Sequence, residues 1–146
     1  MYKILIVDDD YAIRLLYQEE LEDEGYSVTT TSGCLNFLEQ IEHLGPDLIL
    51  LDIRLGKING LDILQDIRDR YYDMPVILCS AYSSFKYDMR AIAADYYVTK
   101  SVDLSELKFK IKMAFESITE GPESFKPGFS GQYSFESYES KAGLVS

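Results

Sequence analysis

The residue types most suited to chemistry fall at four points in the chain. Asp8, Asp9 and Asp10 close the apolar run of KILIVDDDYAIR, Asp52 closes DLILLD, Ser80 closes VILCS, and Lys100 follows YYVT. Adjacent carboxylates repel, by roughly 4 kcal/mol for one pair at about 4 Å and an effective dielectric near 20. A hard divalent cation relieves that repulsion, and oxygen-only ligands in a small site select Mg2+ or Mn2+ rather than zinc. Ser80 supplies a hydroxyl for an anionic oxygen, and Lys100 a point charge for phosphate or carboxylate. Around one crevice these are the parts for phosphoryl transfer to an aspartate. The cation and the lysine neutralise the transferring group while a carboxylate acts as nucleophile. The pattern leaves both Asp52 and Asp9 open as the acceptor.

That chemistry requires the four points to share one edge of a sheet. Short apolar runs at Tyr2–Val7, Tyr26–Thr30, Asp47–Leu51, Pro75–Cys79 and Tyr96–Thr99 suit strands, and the third is apolar almost throughout, as in a parallel sheet covered on both faces. Amphipathic segments separate them. The first carries Ile13, Leu16, Tyr17 and Leu21 and stops at Gly25; the second carries Leu35, Leu38, Ile41 and Glu42 and stops at GPD. Leu61, Leu64, Ile67 and Arg68 mark the third, and Phe85, Met89, Ile92 and Ala93 the fourth. Leu104, Leu107, Ile111 and Phe115 mark the fifth, with Asp103 as N-cap. Five βα units predict an α/β fold, a five-stranded parallel sheet in the flavodoxin-like order 2-1-3-4-5 with helices on both faces. Strands 1 and 3 would then lie about 4.8 Å apart with their carboxyl ends opening together. Asp8, Asp9 and Asp52 would converge there, where open α/β sheets bind their ligands.

The composition agrees. The 146 residues are 47% apolar and 27% charged, a globular composition sufficient for one core. A formal net charge of −11 argues against direct nucleic-acid binding, since no basic stripe is available to displace counterions. No apolar run approaches a membrane span, and ILIV is too short for a signal peptide. Cys34 and Cys79 show neither metal-ligand nor redox spacing, as expected of reduced thiols in a cytoplasmic protein. His43 is the single histidine, which excludes a multi-histidine metal site within one chain.

Over residues 1–117 the sequence resembles the receiver domain of two-component response regulators. ILIVDDD is similar to that family's first-strand acidic pair, DLILLDIRLGKINGLDIL to its phosphoacceptor strand and loop, PVILCSAY to its hydroxyl strand, and ADYYVTKS to its lysine strand. The resemblance implies that Asp52 is the phosphoacceptor. It implies that Asp9 binds Mg2+ directly, Asp8 through water and Arg54 through its main-chain carbonyl. Ser80 and Lys100 would contact the phosphoryl oxygens, and Tyr97 would be the aromatic whose rotamer changes on activation. Asp10 falls where the family varies and reads as a charge favouring the helix N-terminus. Two positions depart from the family pattern: Gly56 and Ser101 stand where proline is common. The bond before that second proline is usually cis, which costs about 2.5–4 kcal/mol before any other residue, so Lys100–Ser101 is expected to be trans.

The resemblance also implies partners: a histidine kinase or histidine phosphotransfer protein as donor, and a protein target on the face of helix 4, strand 5 and helix 5. Phe85, Tyr87, Met89, Tyr97 and Phe109 lie on that face, which receivers also use to dimerise. No metabolic activity is expected, only catalysis of the chain's own phosphorylation and dephosphorylation. Residues 118–146 are rich in Ser, Gly, Pro and Glu and read as a flexible tail, or as the linker of a longer regulator or hybrid kinase. Phe125, Phe129 and Tyr133 recur in it as an aromatic segment able to dock. A remote alternative is a haloacid-dehalogenase-type phosphatase, with Asp8 as nucleophile and Asp10 as general acid.

Overall fold

The computed structural model describes residues 1–33, 36–82 and 87–120. Cys34, Leu35, Phe85 and the aromatic segment from Phe125 to Tyr133 therefore lie outside the described residues.

The order is β1 (Lys3–Val7), α1 (Tyr11–Asp23), β2 (Ser27–Thr31), α2 (Phe37–Leu44), β3 (Leu48–Asp52), β4 (Arg54–Leu55), β5 (Ile58–Asn59), α3 (Gly60–Arg70), β6 (Val76–Ser80), a 3-10 segment (Met89–Ala93), β7 (Tyr96–Thr99) and α4 (Ser105–Glu120). Five strands form one parallel sheet, β2-β1-β3-β6-β7. Because β4 and β5 pair only with each other, this is the expected order 2-1-3-4-5. Alternation along each strand divides the core between the two faces of the sheet. Leu5, Val7, Ile49, Leu51, Val76 and Leu78 pack under α2 and α3. Ile4, Ile6, Leu48, Leu50, Ile77 and Cys79 pack under α1 and α4. Covered on both sides, β3 and β6 are buried throughout, and only apolar runs such as LILL satisfy that.

One expectation needs correction, and two features were not foreseen. The fourth amphipathic segment is not a core-facing α-helix over its described part. Residues Met89–Ala93 form a 3-10 turn whose N–H groups reach back three residues, Ala91 to Asp88 and Ala94 to Ala91. At three residues per turn the 3.6-residue stripe breaks up. Ala91 becomes the buried residue, whereas Met89 and Ile92 are 81% and 73% exposed. Local polar groups favour the tighter turn: Asp88 accepts from the Arg90 N–H, and the Arg68 guanidinium takes the Ala93 carbonyl at 2.6 Å. Secondly, the β4–β5 hairpin was not expected, since two-residue strands leave no periodicity. Thirdly, α4 continues through Glu120, past the boundary expected at 117. Asp103 sits one residue before the carbonyl that opens the helix, that of Leu104, and accepts from the Ser105 N–H at 3.0 Å.

Candidate functional site

Three strand ends build an acidic crevice. The register Val7↔Leu51 sets the ends of β1 and β3 side by side, so Asp8 and Asp52 emerge together. One carboxylate oxygen from each of Asp8, Asp9 and Asp52 lies within 4.8 Å of the others. Asp8 and Asp52 are buried; Asp9 is exposed at the rim. Ser80 ends β6 beside them, 1% exposed, and its carbonyl accepts the Lys100 N–H at 2.7 Å. That bond brings Lys100 in from the end of β7. Its ammonium reaches Asp8 Oδ2 at 2.7 Å and Asp52 Oδ2 at 3.1 Å.

The turn between β1 and α1 fixes the aspartates in different roles. Asp8 Oδ1 accepts the Asp10 N–H at 2.9 Å, and the Asp8 carbonyl accepts from Arg14 Nη1 at 2.6 Å. With Oδ2 on Lys100, both carboxylate oxygens of Asp8 are already engaged. Asp10 turns to the helix, its Oδ1 accepting from the Ala12 and Ile13 N–H groups as an N-cap. A carboxylate committed to a helix end is poorly placed as a general acid, which removes the second half of the phosphatase reading.

The electrostatics follow from burial. Desolvation first, and the Asp8 charge second, push the Asp52 carboxyl up to about 6 against the pull of Lys100. Burial disfavours the Lys100 ammonium, but its hydrogen bond to Asp8 and the charges of Asp52 and Asp8 outweigh it, so the lysine stays protonated. Two carboxylates and one ammonium leave a net negative pocket with Asp9 at its mouth. Such an all-oxygen donor set fits a hard divalent cation.

A bracket flanks this crevice. The Arg54 guanidinium lies 4.5 Å from the ring centroid of Tyr82, joining the segments that leave β3 and β6. The Tyr82 N–H donates to Ser80 Oγ at 3.1 Å, and its carbonyl accepts the Tyr97 hydroxyl at 2.5 Å. Tyr97, half-buried on β7, is thus tied to the segment after Ser80. Lys100–Ser101 is trans, as expected, there being no cis peptide bond among the described residues. Behind the site the Tyr17 hydroxyl meets Cys79 Sγ at 3.9 Å, and burial pushes the Cys79 thiol up to about 12, leaving it protonated and inert. Tyr87, Met89 and Phe109 of the expected partner face are exposed.

Sequence reasoning missed Gly60. Its N–H donates to the Ile53 carbonyl at 2.6 Å, and a Cβ built on it would lie 2.1 Å from the Asp52 carbonyl oxygen. The loop carrying Asp52 closes onto a residue that must lack a side chain. The signal was a glycine opening an amphipathic segment directly after an Asn able to cap it.

The family described as the response regulator receiver domain matches residues 4–112. The transcriptional regulatory protein YkoG of Bacillus subtilis is 39% identical over 76% of this chain and 50% of its own length. Sporulation initiation phosphotransferase F of the same organism is 31% identical over 75% of this chain and 90% of its own. Among solved structures, response regulator TrrA of Thermotoga maritima in complex with Mg2+–BeF has a TM-score of 0.75 and 40% identity, covering 78% of this chain and 99% of that one. TrrA in complex with histidine kinase ThkA gives a TM-score of 0.68 at 41% identity, covering 78% and 98%. The chain spans about half the length of the first transcriptional regulators it matches. Among the described residues no helix is long and apolar enough to cross a membrane.

Proposed function

The chain belongs to the response regulator receiver domain family, and from that premise we propose that Asp52 is the residue its phosphorylation switch turns on. The donor in this reading is a phosphohistidine of a histidine kinase or histidine phosphotransfer protein. The N–P bond of the donor breaks as an Asp52 oxygen forms a bond to phosphorus, and the histidine nitrogen leaves. Asp52 is favoured over Asp9 by one observation: the Lys100 ammonium, 3.1 Å from Asp52 Oδ2, stands beside the oxygens of a group attached there. With its carboxyl near 6, Asp52 is mostly ionised at neutral pH and able to attack.

Asp8, Asp9, Asp52 and the Arg54 carbonyl would hold Mg2+, with Mn2+ as an alternative, and the cation would neutralise charge developing on the phosphoryl oxygens. Asp8, engaged through both oxygens, fits an indirect ligand better than a direct one. Ser80 Oγ accepts the Tyr82 N–H, and its hydroxyl, which also bonds the Tyr97 side chain, would turn to donate to a phosphoryl oxygen. Lys100 keeps two buried carboxylates together before transfer and pairs with the phosphoryl group afterwards. A phosphoryl group that draws Ser80 toward itself pulls on Tyr82 and, through its carbonyl, on Tyr97. That biases two arrangements of the face formed by the 3-10 segment, β7 and α4, where a downstream protein or a second copy of the chain docks. The Ser-, Gly- and Pro-rich sequence beyond α4 is read as tail or linker to this unit.

Phosphoramidate, a small donor with the same N–P bond, tests the reading. Intact mass should show one phosphoryl group per chain that requires Mg2+ and disappears in Asp52→Asn. Uptake undiminished in a folded Asp52→Asn would overturn the assignment.

A further inference from the structure

We propose that the backbone N–H of Gly56 is the positioning donor for Asp9, which makes the β4–β5 hairpin a working part of the cation site. The proposal rests on reading Asp8, Asp9 and Asp52 as cation ligands. The three begin from unequal positions. Asp8 and Asp52 are buried and held by Lys100, whereas Asp9 is an exposed side chain at the rim. Left to solvent, such a carboxylate samples several rotamers, and the cation would bear the cost of ordering it.

Instead the Gly56 N–H donates to Asp9 Oδ2 at 3.0 Å, across 47 positions of chain. Holding one carboxylate oxygen sets the direction of the other, and the carboxylate stays within 4.8 Å of those of Asp8 and Asp52. The donor is itself well fixed. Gly56 opens the two-residue loop of the hairpin at φ +63°, a conformation that suits glycine, between the pairs Arg54↔Asn59 and Leu55↔Ile58. Leu55 anchors the hairpin in the core, and the Asn59 side chain accepts from the Leu61 N–H at 2.8 Å, joining it to α3. The chain leaving Asp52 therefore returns within four residues to hold Asp9. One stretch of backbone carries one ligand and orients another. Partners that orient metal ligands in this way are typically worth 10–100-fold in metal affinity.

The test replaces residue 56 of the full chain by glycolate, exchanging this one N–H for an ester oxygen. Mg2+ affinity is read by calorimetry with no phosphodonor present. The ester should bind Mg2+ about tenfold more weakly, while Gly56→Asn, which keeps the N–H and tolerates positive φ, should stay within about threefold of the parent. An ester within about twofold of the parent overturns the positioning role and leaves the carboxylate site standing. A parent chain that binds no Mg2+ overturns both. Should the ester fail to fold, the Gly56 amide resonance of the parent decides. It should shift over the same Mg2+ range as the calorimetric titration and move to an unbonded position in Asp9→Ala; a resonance indifferent to both overturns the proposal.

Discussion

Replacing Gly60 with alanine puts a methyl group 2.1 Å from the Asp52 carbonyl oxygen, 2.8 Å from Ile53 Cα and 3.0 Å from the Asp52 carbonyl carbon. All three are backbone atoms, so no side chain can swing aside. Restoring ordinary contact means opening the loop by about 1 Å, against the Gly60 N–H bond to Ile53 and the burial of Ile53 itself. Overpacking of this kind costs about 3 kcal/mol. Helix propensity pulls the other way, since alanine at the first position of α3 gains at most about 1 kcal/mol over glycine. The clash wins, with a net loss of about 2–3 kcal/mol. At a urea dependence near 2 kcal/mol per molar, the unfolding midpoint should fall by about 1–1.5 M. Because the displaced atoms belong to Asp52 and its neighbour, Mg2+ affinity of the folded variant should fall as well. A midpoint and a Mg2+ affinity both equal to the parent's would refute the claim that this loop is closed by steric contact.

Three further outcomes follow from the same geometry. In chelator, Asp52→Asn should be more stable than the parent at pH 7 and not at pH 4. Burial and Asp8 raise the folded-state Asp52 from 3.8 to about 6, so its favourable contribution exists at low pH and is lost as pH rises through 6. That rise sets an upper limit of about 3 kcal/mol on the difference, checked by urea unfolding across pH; a pH-independent difference would contradict it. Joint replacement of Arg54 and Tyr82 by alanine removes the cation–π bracket beside the crevice and should shorten the phosphoryl half-life by admitting water, read by phosphoprotein decay; an unchanged half-life counts against shielding. Arg68→Met loses donors to Ala93, Met74 and Asp95 and should cost about 3 kcal/mol while leaving Mg2+ affinity unchanged.

What the sequence made legible was whatever periodicity and burial jointly dictate. Strands covered on both faces need unbroken apolar runs, so LILL and VILC declared themselves, and all five strands lie within one residue of their expected bounds. The polar residue ending each run then fell where topology put it, which is why Asp8, Asp9, Asp52, Ser80 and Lys100 could be assembled in advance. Features decided by single contacts were not legible. The hairpin is two residues wide on each side, the Gly60 requirement is a close approach between backbones, and the Arg54–Tyr82 bracket joins two loops. The fourth amphipathic stripe misled because its spacing is helical, whereas the Ala93 carbonyl is claimed by Arg68 from another element. Asp10 read correctly as a residue of the helix start, but its capping bonds depend on the rotamer that turns Oδ1 to the Ala12 and Ile13 N–H groups.

The most direct measurement locates the modified residue. The chain is phosphorylated in Mg2+, reduced with borohydride to turn an aspartyl phosphate into homoserine, digested and mapped by peptide mass. Homoserine is expected at position 52, with Asp8 and Asp9 unchanged. Homoserine at position 8 or 9, or a phosphoryl group retained on another side chain, would contradict it.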